Sequence, residues 1–165
     1  MAIHRFKRRG RVASAFSAVE LLIALAVIAV LAAMAAPRFG GAIGRYRSDM
    51  AVRRIVSDLR LARALAMSRS AKQAAAFDQQ KHCYELIGMS DPDRPGRPHR
   101  VELARHPYEA NLLKLDLGSA DAGGRPTIVF DGYGVPDAAG TIVIGVGSIR
   151  KTIIIAAETG AMTVQ

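Results

Sequence analysis

The sequence is poor in cysteine and in aromatic residues, and each shortage excludes a class of structure. Among its 165 residues Cys83 is the single thiol, which excludes an internal disulfide and any paired-cysteine zinc or redox site. Tryptophan is absent and aromatic residues amount to 5%. Hydrophobic residues still make up 50% and charged residues 22%, so the chain is not disordered throughout. This length predicts one domain.

The sequence also lacks the spacings that assemble an active site. It has no glycine-rich phosphate loop and no Gly-x-Ser-x-Gly turn. His82 precedes Cys83, but neighbours on a strand point to opposite faces of the sheet. We therefore expect Cys83 to be a buried structural residue. His99 and His106 match no metal-ligand pattern. The prediction is a protein that is not an enzyme and holds no metal or cofactor.

The net charge of +9 is concentrated in the N-terminal third of the chain. Residues 1–15 carry five cations and no acid, residues 16–37 carry only Glu20, and residues 38–72 carry nine cations against two acids. Residues 73–165 have eleven acids and nine cations. A mildly acidic C-terminal region argues against nucleic acid as a partner. The distribution favours a membrane-entry segment followed by a basic helix.

Residues 16–36 form a long apolar segment directly after the cationic start. Ser17 and Glu20 are its polar residues, and residues 21–36 are wholly apolar. As a helix this segment rises about 30 Å, which is enough to cross the hydrocarbon core of a bilayer. The cations before it favour a cytoplasmic start. We therefore predict a single-pass membrane helix with the residues after 37 on the far side of the membrane.

The residues of this segment alone leave three interpretations open. A cleavable secretory signal would use the Ala33-Met34-Ala35 site and release a soluble β protein after Ala35. A plain membrane anchor accounts for the length but gives Glu20 no role, because an ionisable group inside a membrane span usually indicates a partner. The third interpretation gives this acid a role, and it depends on the residues around it.

Residues 11–22, RVASAFSAVELL, resemble the type IV prepilin signal: a basic leader, a small residue, phenylalanine, three mostly apolar residues, glutamate and a leucine-rich run. The resemblance implies that prepilin peptidase cuts between Ala15 and Phe16 and methylates the new amine of Phe16. Alanine stands here where the family usually has glycine. The amine of one subunit would offset Glu20 of a neighbour in the low-dielectric interior of a filament. Glu20 is therefore predicted to fix the register of assembly.

The helix is expected to continue through residues 37–72 as an amphipathic segment. Pro37 removes a helical hydrogen bond, so a kink is predicted there. The arginines Arg47, Arg54 and Arg69 are expected largely on a solvated basic face. Apolar residues at spacings of three to five predict one buried stripe: Tyr46, Met50, Ile55, Leu59, Ala62 and Ala66.

Beyond residue 72 the pattern changes to that of β-strands, and residues 73–165 are predicted to form a β domain. The expected fold class is α+β, with a long N-terminal hydrophobic helix and an antiparallel β-sheet domain packed on the C-terminal half of that helix. Residues 90–98 contain three of the seven prolines and are predicted to be an exposed loop. Strands are predicted at residues 73–77, 83–89, 100–104, 112–117, 127–130, 141–146 and 151–157.

Two further regions resemble the H-type minor pseudopilins of type II secretion systems. Residues 57–66, SDLRLARALA, resemble a helical stretch of that family, and IVFDGYGVP, GTIVIG and KTIIIAAETGAM follow in the order of its C-terminal β domain. The resemblance implies a structural subunit of a periplasmic pseudopilus that acts in protein secretion. Its implied partners are other major and minor pseudopilins, the inner membrane and secreted substrate proteins.

The same broad family includes FimT-like minor pilins, which act in type IV pilus assembly or DNA uptake. This alternative would require cations at the C-terminal tail. Here Gly160-Ala161-Met162 stands where the family has Gly-Arg-Val, and no cation follows Lys151. Nucleic acid is therefore not expected to be a partner.

Overall fold

The computed structural model describes residues 17–92 and 94–165, with only the backbone described for residues 34–40. It divides into two compact units, the first ending at Gly40 and the second comprising Gly41–Gln165. The predicted leader, residues 1–15, and the predicted cleavage site at Ala15 and Phe16 lie outside the described residues.

One helix, α1 (Ala18–Arg69), includes most of both predicted helical segments. Ser17 caps its start, since the Ser17 Oγ accepts a hydrogen bond from the Val19 N–H at 3.3 Å. At its end Ser70 adopts a φ of 48°, a left-handed conformation typical of a helix terminus. Pro37 lies within the bounds of α1, and the kink stays a prediction, as do the domain boundaries at residues 15, 36 and 72.

Nine strands follow the helix and form two antiparallel sheets within the described residues. The five-stranded sheet has the order β3-β2-β1-β6-β5, and the four-stranded sheet has the order β4-β7-β8-β9. The α+β prediction is confirmed. The strands are β1 (Gln73–Asp78), β2 (Cys83–Asp91), β3 (Arg94–Glu102), β4 (Asn111–Asp116), β5 (Ser119–Ala120), β6 (Pro126–Phe130), β7 (Gly140–Val146), β8 (Ile149–Ile155) and β9 (Met162–Val164).

The prediction that residues 90–98 form a loop is wrong in part. β2 extends to Asp91, and β3 begins at Arg94 and includes Pro95 and Pro98. Prolines are tolerated there because β3 is an edge strand, and its pairing with β2 shifts register beyond Leu86. Most of the described residues in this range are exposed, as the prolines suggested, but all of them except Pro92 belong to β2 or β3.

One core lies between α1 and the sheets of the second unit. The predicted stripe is correct for Ile55 and Leu59, which are fully buried, but wrong for Tyr46, which is 66% exposed. At the start of the buried stripe the residue that packs against the sheet is instead a small one, Gly44. A Cβ on Gly44 would lie 3.1 Å from Cδ1 of Ile149. Tyr46, two residues further along the helix, therefore points away from the β7–β8 hairpin.

Candidate functional site

The first unit presents apolar side chains on every side of its helix. All side chains of residues 18–33, here called the apolar helix segment, are exposed. A helix that is apolar all round is ordinarily buried in protein or lipid, and a large exposed apolar surface marks an interaction site. Its large side chains are 53–66% exposed: Val19, Leu21, Leu22, Ile23, Leu25, Val27, Ile28, Val30 and Leu31.

Among residues 17–33, 41–92 and 94–165, no helix is both long and apolar enough to cross a bilayer.

Glu20 is the charged side chain of the apolar helix segment and lies in the first turn of α1. It is exposed, and it stands three residues after the capping Ser17. The spacing Ser-x-x-Glu is that of a capping box, and a carboxylate is favoured near a helix N-terminus. The start of the helix therefore gives Glu20 a local role as well as the predicted assembly role. This spacing is visible in the sequence, where it is a signal for the start of a helix.

A buried polar cluster lies where the second part of α1, residues 41–69, meets β2 and β3, and no sequence pattern predicted it. Oδ2 of Asp58 accepts hydrogen bonds from the Tyr84 hydroxyl at 2.7 Å and from Nε of Arg54 at 3.0 Å. The same oxygen lies 3.1 Å from Nε2 of His99. Asp58, Tyr84 and His99 are 5%, 1% and 3% exposed. His99 Nδ1 has no hydrogen-bond partner in the described residues.

Electrostatics in this cluster favour a fixed structural arrangement. Burial raises the pKa of the Tyr84 hydroxyl well above its usual range, and the Asp58 carboxylate raises it further. Burial is the largest influence and acts to lower the pKa of Arg54, but the combined attraction of Asp58, Tyr84 and Tyr108 outweighs it, so the pKa is raised. Tyr84 therefore stays a hydrogen-bond donor and Arg54 stays charged. The cluster holds α1 against β2 and β3 and contains no nucleophile facing a cavity.

Cys83 and His82 do not form a reactive pair. Cys83 is 3% exposed, as predicted, and burial raises the pKa of its thiol even though the Arg100 guanidinium lies 3.1 Å from Sγ. Nδ1 of His82 accepts a hydrogen bond from the Leu112 N–H at 3.1 Å. Within the described residues, no group of three or more His, Cys, Asp or Glu side chains is placed to hold a metal ion.

A cleft of about 770 Å³ opens between the β1–β2 turn and residues 123–126. Its charged side chains already have partners. Lys81 lies 3.6 Å from Asp78, and Arg125 lies 2.6 Å from Asp121. This cleft therefore offers a polar surface without an unpaired cation in its lining.

Several arginines of α1 are bound within the chain, so the predicted basic face is only partly free. Arg47 pairs with Glu109, and Nε of Arg63 donates to the Gly134 carbonyl at 3.0 Å. Arg54, expected on the solvated face, turns toward buried Asp58. These internal contacts reduce the positive surface that a nucleic acid would meet.

Comparison with known families decides the assignment. The model of the family described as type II transport protein GspH matches residues 51–160. The chain belongs to the GspH family. The matched region contains the second part of α1 and most of the β domain, and the predicted H-type family is confirmed. A subunit of type II secretion, the function predicted from the sequence, agrees with this family. No curated protein matches the chain.

Solved structures show that this GspH-family chain has the fold of both a pseudopilin and a pilin. The minor pseudopilin EpsH from the type 2 secretion system of Vibrio cholerae is 12% identical; the match covers 72% of this chain and 96% of EpsH, with a TM-score of 0.53. The type IV minor pilin FimU from Pseudomonas aeruginosa is 13% identical; the match covers 71% of this chain and 91% of FimU, with a TM-score of 0.50. At these identities the likeness concerns the fold alone.

Proposed function

We propose that this GspH-family protein is a minor pseudopilin, a structural subunit without enzymatic activity. The apolar helix segment would first anchor it in the inner membrane and then pack among neighbouring subunits of a periplasmic pseudopilus. One observation carries this proposal: residues 18–33 expose large apolar side chains all round, while the second unit has its own buried core. Lipid or other subunits must cover such a surface.

The proposed processing step is cleavage between Ala15 and Phe16 by prepilin peptidase, followed by N-methylation of Phe16. The start of α1 at Ala18 supports it, since cleavage before Phe16 leaves the whole helix in the mature protein. Cleavage after Ala35 would instead remove the apolar helix segment and leave nothing to assemble.

Within the pseudopilus, Glu20 would pair with the methylated amine of Phe16 from a neighbouring subunit. Its exposed position in the first turn supports this pairing, because the carboxylate lies at the same helix end as the new amine. A charge pair in an apolar interior is strongly position-dependent, so the pairing would fix how far one helix is displaced along the next.

The mass and N-terminal sequence of the mature protein test the proposal. We expect a chain that begins at Phe16 and carries one extra methyl group, and Ala15→Gly should leave that product unchanged. A chain that begins at Met1 or at Ala36 would contradict the proposal. Co-purification with the other pseudopilins, before and after deletion of the peptidase, then reports assembly itself.

The fold shared with FimU favours one alternative function. In that case the protein would be a minor pilin of a type IV pilus that acts in assembly or DNA uptake. That function predicts binding of duplex DNA that weakens steeply as salt rises. We expect no such binding, because Arg47, Arg54 and Arg63 are bound within the chain.

A further inference from the structure

The outer edge of β9 is open. β9 pairs only with β8, and reciprocal hydrogen bonds join Thr152 to Gln165 at one end of the ladder. Hydrogen-bonded and non-bonded pairs alternate along an antiparallel ladder. Met162 and Val164 occupy the non-bonded positions opposite Ile155 and Ile153, so their N–H and C=O groups point away from β8. The edge therefore offers backbone donors and acceptors to an additional strand.

The other sheet edges are protected. β3 contains two prolines and three arginines, which oppose strand addition. β5 is only two residues long. On β4 the Leu112 N–H donates to His82, and the Leu113 carbonyl accepts from Nε2 of Gln79 at 2.7 Å. Strand β9 has no proline, no charged residue and no such side-chain cap, and it alone combines these features among the edges described.

A groove of about 330 Å³ lies between this open edge and α1. Its floor is apolar, since Val52 and Val56 are 5% and 8% exposed, and Val164 on the strand side is 41% exposed. Met162, on the same face of β9 as Val164, packs against the core. The groove is thus a continuation of the core surface. Its lining comprises Val52, Arg53, Val56, Ser57, Arg60 and Val164.

The rim of the groove is positive. Arg53 and Arg60 are exposed on the same side of α1, about two helical turns apart. The charge of Arg53 acts on Asp49 and helps to lower its pKa, but the Asp49 carboxylate is already held by Lys151 at 2.5 Å. Arg60 makes no ion pair in the described part of the chain. An occupant with a carboxylate would meet cations that have spare pairing capacity.

We propose that this groove binds an extended acidic segment of a neighbouring subunit, which adds to β9 as a further strand. Backbone hydrogen bonds to Met162 and Val164 would supply affinity. Alternate side chains of the added strand would face Val52 and Val56, and a carboxylate would lie beside Arg53 or Arg60. The inference deepens the proposed function, on which it rests, because the pseudopilus supplies the neighbouring subunit.

Peptide binding to the full chain in detergent micelles tests this surface. The probe is a short fluorescent peptide in which glutamate alternates with valine, and its partner replaces every glutamate with lysine. We expect only the glutamate peptide to bind. Equal binding of the lysine peptide would overturn the proposal, as would displacement of the glutamate peptide by duplex DNA, which would identify nucleic acid as the occupant.

Val164→Pro removes an outward N–H and leaves the β8–β9 hydrogen bonds, which come from residues 161, 163 and 165. We expect it to weaken peptide binding about tenfold, the value of one hydrogen bond. Val164→Thr keeps the N–H and the branched side chain and is the matched control, with an affinity close to that of the unmodified chain. Unchanged binding to a folded Val164→Pro variant would refute strand addition.

A second pair of variants is independent of β9. Arg60→Glu should weaken binding about tenfold by replacing attraction with repulsion, whereas Arg97→Glu, the same charge change on β3, should leave binding unaltered. Equal affinities for these two variants would contradict the proposed site. Neither measurement involves Glu20 or assembly, so a failure of the proposed function would be seen separately from a failure here.

Discussion

The two described parts of α1 differ in what covers their apolar side chains. In the apolar helix segment, Leu22 and Leu31 are 66% and 61% exposed, whereas Ile55 and Leu59 in the second unit are completely buried. One continuous helix therefore serves two surfaces of different kinds. The second unit buries its stripe within the chain, while the first needs a lipid or protein environment. Folding and assembly are consequently separable properties of this protein.

Removing Asp58 is the strongest test of whether contacts within the second unit account for its stability. Asp58→Ala leaves Arg54, Tyr84 and His99 without their shared acceptor, and we expect a loss of about 3–5 kcal/mol in the free energy of unfolding. Denaturant unfolding of the full chain in micelles measures it. Asp116→Ala, at an exposed acid, is the control and should cost less than about 0.5 kcal/mol.

A matched pair of leucine truncations compares the two parts of the helix directly. Leu59→Ala should destabilise the second unit by about 2–5 kcal/mol, because it leaves a cavity in a closed core. Leu25→Ala, whose side chain is 54% exposed, should leave that unfolding transition in place. If Leu25→Ala lowered the stability of the second unit as much as Leu59→Ala, the separation of folding from assembly would be wrong.

Two substitutions at the helix start separate the local and the assembly roles of Glu20. Glu20→Gln keeps the hydrogen-bonding capacity of a capping box but loses the charge, so we expect recovery of assembled pseudopilus to fall roughly thirtyfold. Ser17→Ala removes the cap to Val19 but keeps the carboxylate, and it should assemble nearly normally. Normal assembly of Glu20→Gln would leave Glu20 with the capping role alone.

The elements that the sequence predicted well are those with local signals. The β-branched runs of β7 and β8 and the helical spacing of Ile55 and Leu59 are readable within a few residues. The burial of Cys83 was predicted because the sequence has no second cysteine and no site pattern around this one. Each of these conclusions depends on near neighbours in the chain and not on tertiary pairing.

The elements that were missed depend on distant partners. His99 meets Asp58 across 41 residues, and no spacing rule connects them. The strand character of Pro95 and Pro98 depends on pairing with β2 at a sheet edge. β9 is three residues long, too short for a period of two to be recognised. The groove beside it therefore appears only when the helix and the strand are placed together.

The smallest expected effect concerns the pH dependence of the second unit, through Tyr84 on β2. The folded-state pKa of Tyr84 is raised above the usual 10.0 by burial and by Asp58, so its stabilising contribution is complete below pH 10 and is lost as the pH rises further. We expect the free energy of unfolding of the second unit to fall above pH 10 by up to about 1.4 kcal/mol per pH unit from this group. Tyr84→Phe should remove that slope while lowering stability at neutral pH. Unfolding measured from pH 8 to 11 for both proteins tests this, and parallel curves would show that Tyr84 does not carry the pH dependence.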